Sequence, residues 1–199
     1  MTDVNTAYSA RAAEYTAAVG TMDAVHPDDR QLVEQWARSV NGPVLDAGCG
    51  PGHWTAHLAT LGIDVRGIDL TSAFIDLARS THSGVRFDTG SIDRLDDPDG
   101  SLGGILSWFS TIHHDPARIC VPLTEFARAL RPGGSLLLGY FDAEADAVEP
   151  FDHAVVRAYR WPARALEAAV ERAGFEVIET HHRAGRGRRP VGSLLCIRP

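Results

Sequence analysis

Apolar positions along this chain follow two rhythms, and their alternation predicts the fold. Val44-Leu45, the stretch 63–69, Val85-Arg86-Phe87, and residues 102–107 and 135–140 are short apolar or period-two runs bounded by turn residues, which read as strands. Between them, apolar residues recur every three or four positions, as helices require. The stripes are Leu32, Val33, Trp36 and Val40; Trp54, Leu58 and Leu61; Phe74 and Leu77; and Leu123, Phe126, Ala127 and Leu130. Pro27, followed by Asp28 and Asp29, opens the first of these as a first-turn proline with acids at the positive dipole end. Residues 142–160 are acidic at first and poor in pattern. A helix is predicted from Trp161-Pro162 to a glycine stop at Gly174, followed by strands at 176–180 and 193–197 joined by an Arg-Gly loop. Strands alternating with helices predict an α/β doubly wound sheet with helices on both faces, and the length fits one domain.

The break after the first strand is the most informative point. Gly48, Gly50 and Gly52 permit positive φ and remove the Cβ atoms that would hold a ligand off the main chain, just ahead of a helix start. The dinucleotide fingerprint is imperfect, because His53 stands where its third glycine belongs. A phosphate loop needs a lysine, and every one of the 19 basic residues is an arginine. The missing amine also excludes Schiff-base and PLP chemistry. Asp69 ends the second strand 21 residues after Gly48, near the spacing at which a carboxylate reaches two ribose hydroxyls; a helix cap is the plainer role for it.

Val44-Leu45-Asp46-Ala47-Gly48-Cys49-Gly50-Pro51-Gly52 resembles motif I of the class I S-adenosylmethionine (SAM) methyltransferases, small-molecule type, at every fixed position. The resemblance implies a seven-stranded, mostly parallel sheet ending in an antiparallel strand pair. SAM would be the cofactor and S-adenosylhomocysteine the product, with methyl transfer by in-line displacement to a small-molecule acceptor. It implies that the backbone of Gly48, Cys49 and Gly50 faces the methionyl part, Asp46 helps hold the ammonium, Asp69 binds the ribose and Leu70 packs on the adenine. Ser91 stands where the family often has an aspartate for the adenine amino group, so the Ile92 backbone contact carries over more directly, and Ser91 or Asp93 is left for the amino group. In the stretch after the fourth strand, Trp108 would flank the sulfonium as a π face flanks a cation. His113, with His114 second, would be the general base, although both also suit a solvated loop. Tyr8, Arg11 and Tyr15, on one face of an alanine-rich helical stretch, loosely fit the family's lid over the cofactor or, equally, a surface helix. The expected division is a lid within 1–40, a cofactor-binding half at 43–141 and a substrate-side segment at 142–199. His153, Arg157, Tyr159 and Arg160 are its candidate acceptor contacts. Arg183, Arg186, Arg188 and Arg189 belong to a solvated loop or hold an acidic substrate or RNA.

Composition trims this picture. A net charge of −7 disfavours a general polyanion binder, so no nucleic-acid partner is expected. No apolar run approaches a membrane span, and the N-terminus lacks a signal-peptide pattern, so a cytoplasmic protein, monomeric or homodimeric, is expected. Cys49, Cys120 and Cys196 are too scattered for a disulfide framework or zinc site, and His53 and His57 lack a third metal ligand, so no metal is expected. A SAM-binding protein without catalysis and an NAD-dependent oxidoreductase are the competing functions.

Overall fold

The computed structural model describes residues 20–153, 157–185 and 188–199. The first helix described, α1 (Pro27–Ser39), starts as the sequence dictates. Pro27 fills the first turn, and the His26 ring accepts from the Asp28 amide at 3.2 Å. The remaining helices are α2 (His53–Thr60), α3 (Ser72–Thr81), α4 (Cys120–Ala129) and α5 (Ala163–Arg172).

Strands β1 (Val44–Ala47), β2 (Val65–Asp69), β3 (Arg86–Thr89), β4 (Leu102–Trp108) and β5 (Leu130–Asp142) form the parallel order 3-2-1-4-5. The chain winds outward from β1 to β3, then crosses back to lay β4 on the other side of β1. That reversal opens a crevice at the carboxyl ends of β1 and β4, where ligands of open α/β sheets bind. Successive residues feed opposite faces. Val44, Leu106 and Leu137 pack with Trp36, Trp54 and Leu58 on one side, while Leu45, Ile105 and Leu136 pack with Leu123, Phe126 and Leu166 on the other.

The predicted antiparallel pair is present as β8 (Glu176–Gly185) and β9 (Arg188–Ile197), with β9 beside β5. Both strands run longer than the apolar pattern indicates. Pairing continues to Arg183 opposite Val191 and Gly185 opposite Arg188, so most of the arginine-rich stretch is strand and not loop. Arg183 is tied to Asp29 of α1 by an ion pair.

Two further strands, β6 (Glu149–Asp152) and β7 (Arg157–Trp161), were not evident in the sequence pattern. They form an antiparallel hairpin, and β7 lies parallel to the end of β5, with Phe141 opposite Arg160 and Asp142 opposite Trp161. Trp161 closes that strand instead of opening a helix, because a residue before proline is pushed to extended backbone; α5 begins only after Pro162. The hairpin therefore prolongs the sheet past the last β4–β5 pair, Trp108 with Gly139, and over the tip of β4.

Candidate active site

The turn after β1 is held in shape by its own amides. Gly48 and Cys49 both donate to the Ile68 carbonyl, at 2.8 and 2.9 Å, and Gly50 donates to Asp69 Oδ2 at 2.9 Å. These amides are thus spent inside the protein, whereas a diphosphate cradle would keep them for the ligand. Gly48 has no substitute: its φ is 83°, and a Cβ there would lie 2.3 Å from Ser110 Cβ. The close approach of the loop after β4 to the loop after β1 depends on that missing atom.

Asp69 stands at the tip of β2 with both oxygens engaged, Oδ1 accepting from the Thr71 amide at 2.8 Å and Oδ2 from Gly50. Burial pushes its carboxyl above the usual carboxylate value, and the two amides pull it back. It braces the start of α3 and also lines the crevice. Each carboxylate oxygen keeps lone-pair capacity for a ligand hydroxyl. Next to it Leu70 is 38% exposed, one of two large apolar side chains described as exposed, and it lines the same cavity. An apolar side chain left open inside a crevice suits a planar ligand face.

That cavity, of about 300 Å³, runs from Gly48, Gly50 and Asp69 past Ser91, Ile92 and Asp93 to Trp108, His113 and His114. The turn of Ser91 is closed by its own bonds, with its hydroxyl accepting from the Asp93 amide at 3.2 Å. Asp93 Oδ1 lies 2.8 Å from His114 Nε2, joining the turn after β3 to the loop after β4. A carboxylate there makes Nε2 the protonated nitrogen, leaving Nδ1, buried and without a partner, as the basic one.

Trp108 packs edge-on to Trp54 at 6.0 Å and to Phe109 at 5.5 Å. Phe109, at φ 57°, is the positive-φ non-glycine residue among the described ones, and strain of this kind collects at functional loops. Both rings also line a second cavity of about 220 Å³ bounded by α1 and β8–β9, so they form a wall between two spaces.

His113 depends on the hairpin. Its Nδ1 lies 2.8 Å from the Arg157 carbonyl of β7, and the Tyr159 amide donates to the Ile112 carbonyl at 2.9 Å. A carbonyl has no proton to give, so Nδ1 carries the hydrogen and Nε2 carries the lone pair. Burial, opposed by that hydrogen bond and helped by His114, lowers the His113 pKa and keeps the ring neutral.

Asp46 is placed differently from the rest. It is 2% exposed, accepts from Thr55 Oγ1 at 2.6 Å and is not among the residues lining the cavity. Burial raises its pKa to about 7. Cys49 is likewise buried, with its thiol held protonated by burial and by the charges of Asp46 and Asp69; the cavity passes it by. His57 pairs with Glu34 at 2.8 Å, and burial drives His53 to about 4. Tyr8, Arg11 and Tyr15 fall outside the described residues, as does Arg186. The sequence reading missed Thr71, Phe109, Ser110 and Arg118 as cavity residues. Position alone, two residues after an acid or within the loop after β4, is the signal that marks the first three.

A family model described as a methyltransferase domain matches residues 44–134. The chain is 30% identical over 115 residues to a malonyl-[acyl-carrier protein] O-methyltransferase of Erwinia billingiae, covering 58% of this chain and 45% of that protein. The chain thus spans less than half the length of that relative. It is 30% identical over 162 residues to the O-methyltransferase rstn1 of Aspergillus nomiae, covering 75% of this chain and 71% of the other. Among solved structures, the 1,6-didemethyltoxoflavin-N1-methyltransferase of Burkholderia thailandensis, with 1,6-didemethyltoxoflavin and S-adenosylhomocysteine bound, shares the fold at a TM-score of 0.82 and 19% identity, covering 99% of this chain and 88% of that one. No described helix is long and apolar enough to cross a membrane. With the glycine turn and this coverage in agreement, the chain belongs to the class I SAM-dependent methyltransferases.

Proposed function

We propose that this protein methylates a small-molecule acceptor in the crevice above β1, β2 and β4, with His113 as general base toward an acceptor hydroxyl or amine. The observation that carries the reading is a single cavity lined at one end by Asp69 and Leu70 and at the other by a neutral, oriented His113. The residues present fit SAM better than a dinucleotide, since the amides of Gly48, Cys49 and Gly50 are already used and the family carries no diphosphate to that turn. When bound, SAM supplies an electrophilic methyl group on a sulfonium and leaves as S-adenosylhomocysteine.

The chain's own residues supply the rest. Asp69 accepts from the ribose hydroxyls, Leu70 and Ile92 flank the adenine, and Trp108 presents its ring to the sulfonium end. The Asp93–His114 pair fixes the distance between the turn after β3 and the loop after β4, and so the depth of the crevice. Placement of the two reactants is the larger part of the acceleration, because near-attack positioning is worth roughly 7 to 11 kcal/mol. His113 takes the acceptor proton on Nε2 while Arg157 holds the ring. The lid within 1–40 and the acceptor segment 142–199 complete this assignment.

Calorimetric titration tests it. S-adenosylhomocysteine should bind and NAD⁺ should not, and Asp69→Ala should weaken binding by at least about tenfold through loss of charged hydrogen bonds. Preferential binding of NAD⁺ would overturn the proposal.

A further inference from the structure

The acceptor side of the crevice contains an arrangement that methyl transfer alone does not require. Phe141, near the end of β5, has Arg160 of β7 as its neighbour on one edge and Val191 of β9 on the other. Arg189 lies two residues from Val191 and so projects to the same face of β9. The two guanidinium carbons sit 4.6 and 5.0 Å from the centre of one ring, Phe151, and Arg189 is also 6.0 Å from Phe141. Two cations therefore share one phenyl group.

Neither has a counter-charge among the described residues. Arg30, Arg66, Arg79, Arg86, Arg128 and Arg183 each pair with a carboxylate, as a chain of net charge −7 readily allows. Arg160 and Arg189 have no such partner among the described residues, and Glu149, directly across from Arg160 on β6, makes no ion pair with it. The Nε of Arg160 is buried with no hydrogen-bond acceptor. A buried N–H left open is costly unless something occupies it part of the time. Cation–π attraction to a ring uses none of the N–H groups of a guanidinium, whose fork has the spacing of a carboxylate.

The cluster continues into the cavity. The Phe141 ring is 5.1 Å from that of Phe109, which lines the cavity, and His153 is 5.5 Å from His113. Burial, with His113 and Arg189 adding to it, drives His153 down to about 4, so it adds an aromatic surface and no charge. A guanidinium thus stands two ring contacts from the wall of the methyl-transfer site.

We infer that the acceptor is an aromatic carboxylate whose ring system lies against Phe109 at the cavity wall, with its carboxylate, remote from the methylated atom, held beyond Phe141 by Arg160 and Arg189. This rests on the function proposed above. It assigns the two arginines, one half-buried and one exposed, to substrate recognition.

Naphthoate and its neutral amide, naphthamide, serve as probes, titrated into protein saturated with S-adenosylhomocysteine. Naphthoate should bind at least about tenfold more tightly than naphthamide, and Arg160→Gln or Arg189→Gln should each erase most of that preference. Arg189→Lys should keep part of it, since the charge remains while the fork is lost. On the unaltered protein, added salt should weaken naphthoate but not naphthamide, a readout that needs no variant to fold. Equal binding of the two probes, no binding of naphthoate, or a preference surviving both glutamine variants would overturn the inference while leaving the cofactor assignment standing. Failure of S-adenosylhomocysteine to bind at all would overturn that assignment, and this one with it.

Discussion

Asp69 and His113 show how differently two candidate site residues are written into one chain. Asp69 was identifiable because its surroundings are local: a strand tip at a fixed distance from Gly48, and a helix start two residues on. His113 could be found only as a candidate, because its partner, the Arg157 carbonyl, lies 44 residues away on a strand with no clear pattern. Asp46 shows the opposite limit, for the motif marks it as important while the structure gives it to Thr55. The role proposed for His113 fixes a pH dependence. A general base acts when unprotonated, and burial holds this imidazole below its ordinary value of 6.5. Turnover should therefore stay level as pH falls to that value and decline only below it. His113→Gln should lower kcat by roughly 10²- to 10⁴-fold and abolish the acidic limb, as a rate–pH profile of both proteins would reveal. An unchanged profile would assign the base elsewhere, with His114 next in line.

At the scale of elements, the parallel core was readable because buried strands and amphipathic helices carry strong periodic signals; the β6–β7 hairpin was not. Its strands are four and five residues long, β6 contains Pro150, and β7 carries two arginines. Proline is tolerated there because β6 is an edge strand, paired only with β7. The same feature explains why arginines that look like a solvated loop turn out to extend β8 and β9. Their place is set by pairing across the sheet, which no local window contains. The hairpin should matter to rate and not to cofactor affinity, since it touches the loop after β4 and leaves the turns after β1 and β2 alone. Tyr159→Pro removes the amide that donates to Ile112 and so loosens the loop that carries His113. The expected result is a fall in kcat of more than about tenfold, with the dissociation constant of S-adenosylhomocysteine nearly unchanged; parallel loss of both would make the hairpin a general structural support.

For the whole molecule, the crevice draws on segments far apart in sequence, the turns after β1, β2 and β3 and the loop after β4, which meet only in the folded chain. A ligand bound there stabilises the native state and has no equivalent site on the unfolded one. At about 100 times its dissociation constant, S-adenosylhomocysteine should contribute about 2.7 kcal/mol, and for a domain of this size each kcal/mol raises Tm by roughly 2 to 4 °C. A rise of about 5 to 10 °C is therefore expected in a thermal melt. The variants divide the site by what they do to that rise. Asp69→Ala, which removes the bridge between two of the turns, should lose about half of it or more. His113→Gln should keep it in full, since the proposed assignment gives His113 to the acceptor and not to the cofactor. A melt in which His113→Gln also lost the shift would merge binding and chemistry into one set of residues, and the division of labour between the tip of β2 and the loop after β4 would fail.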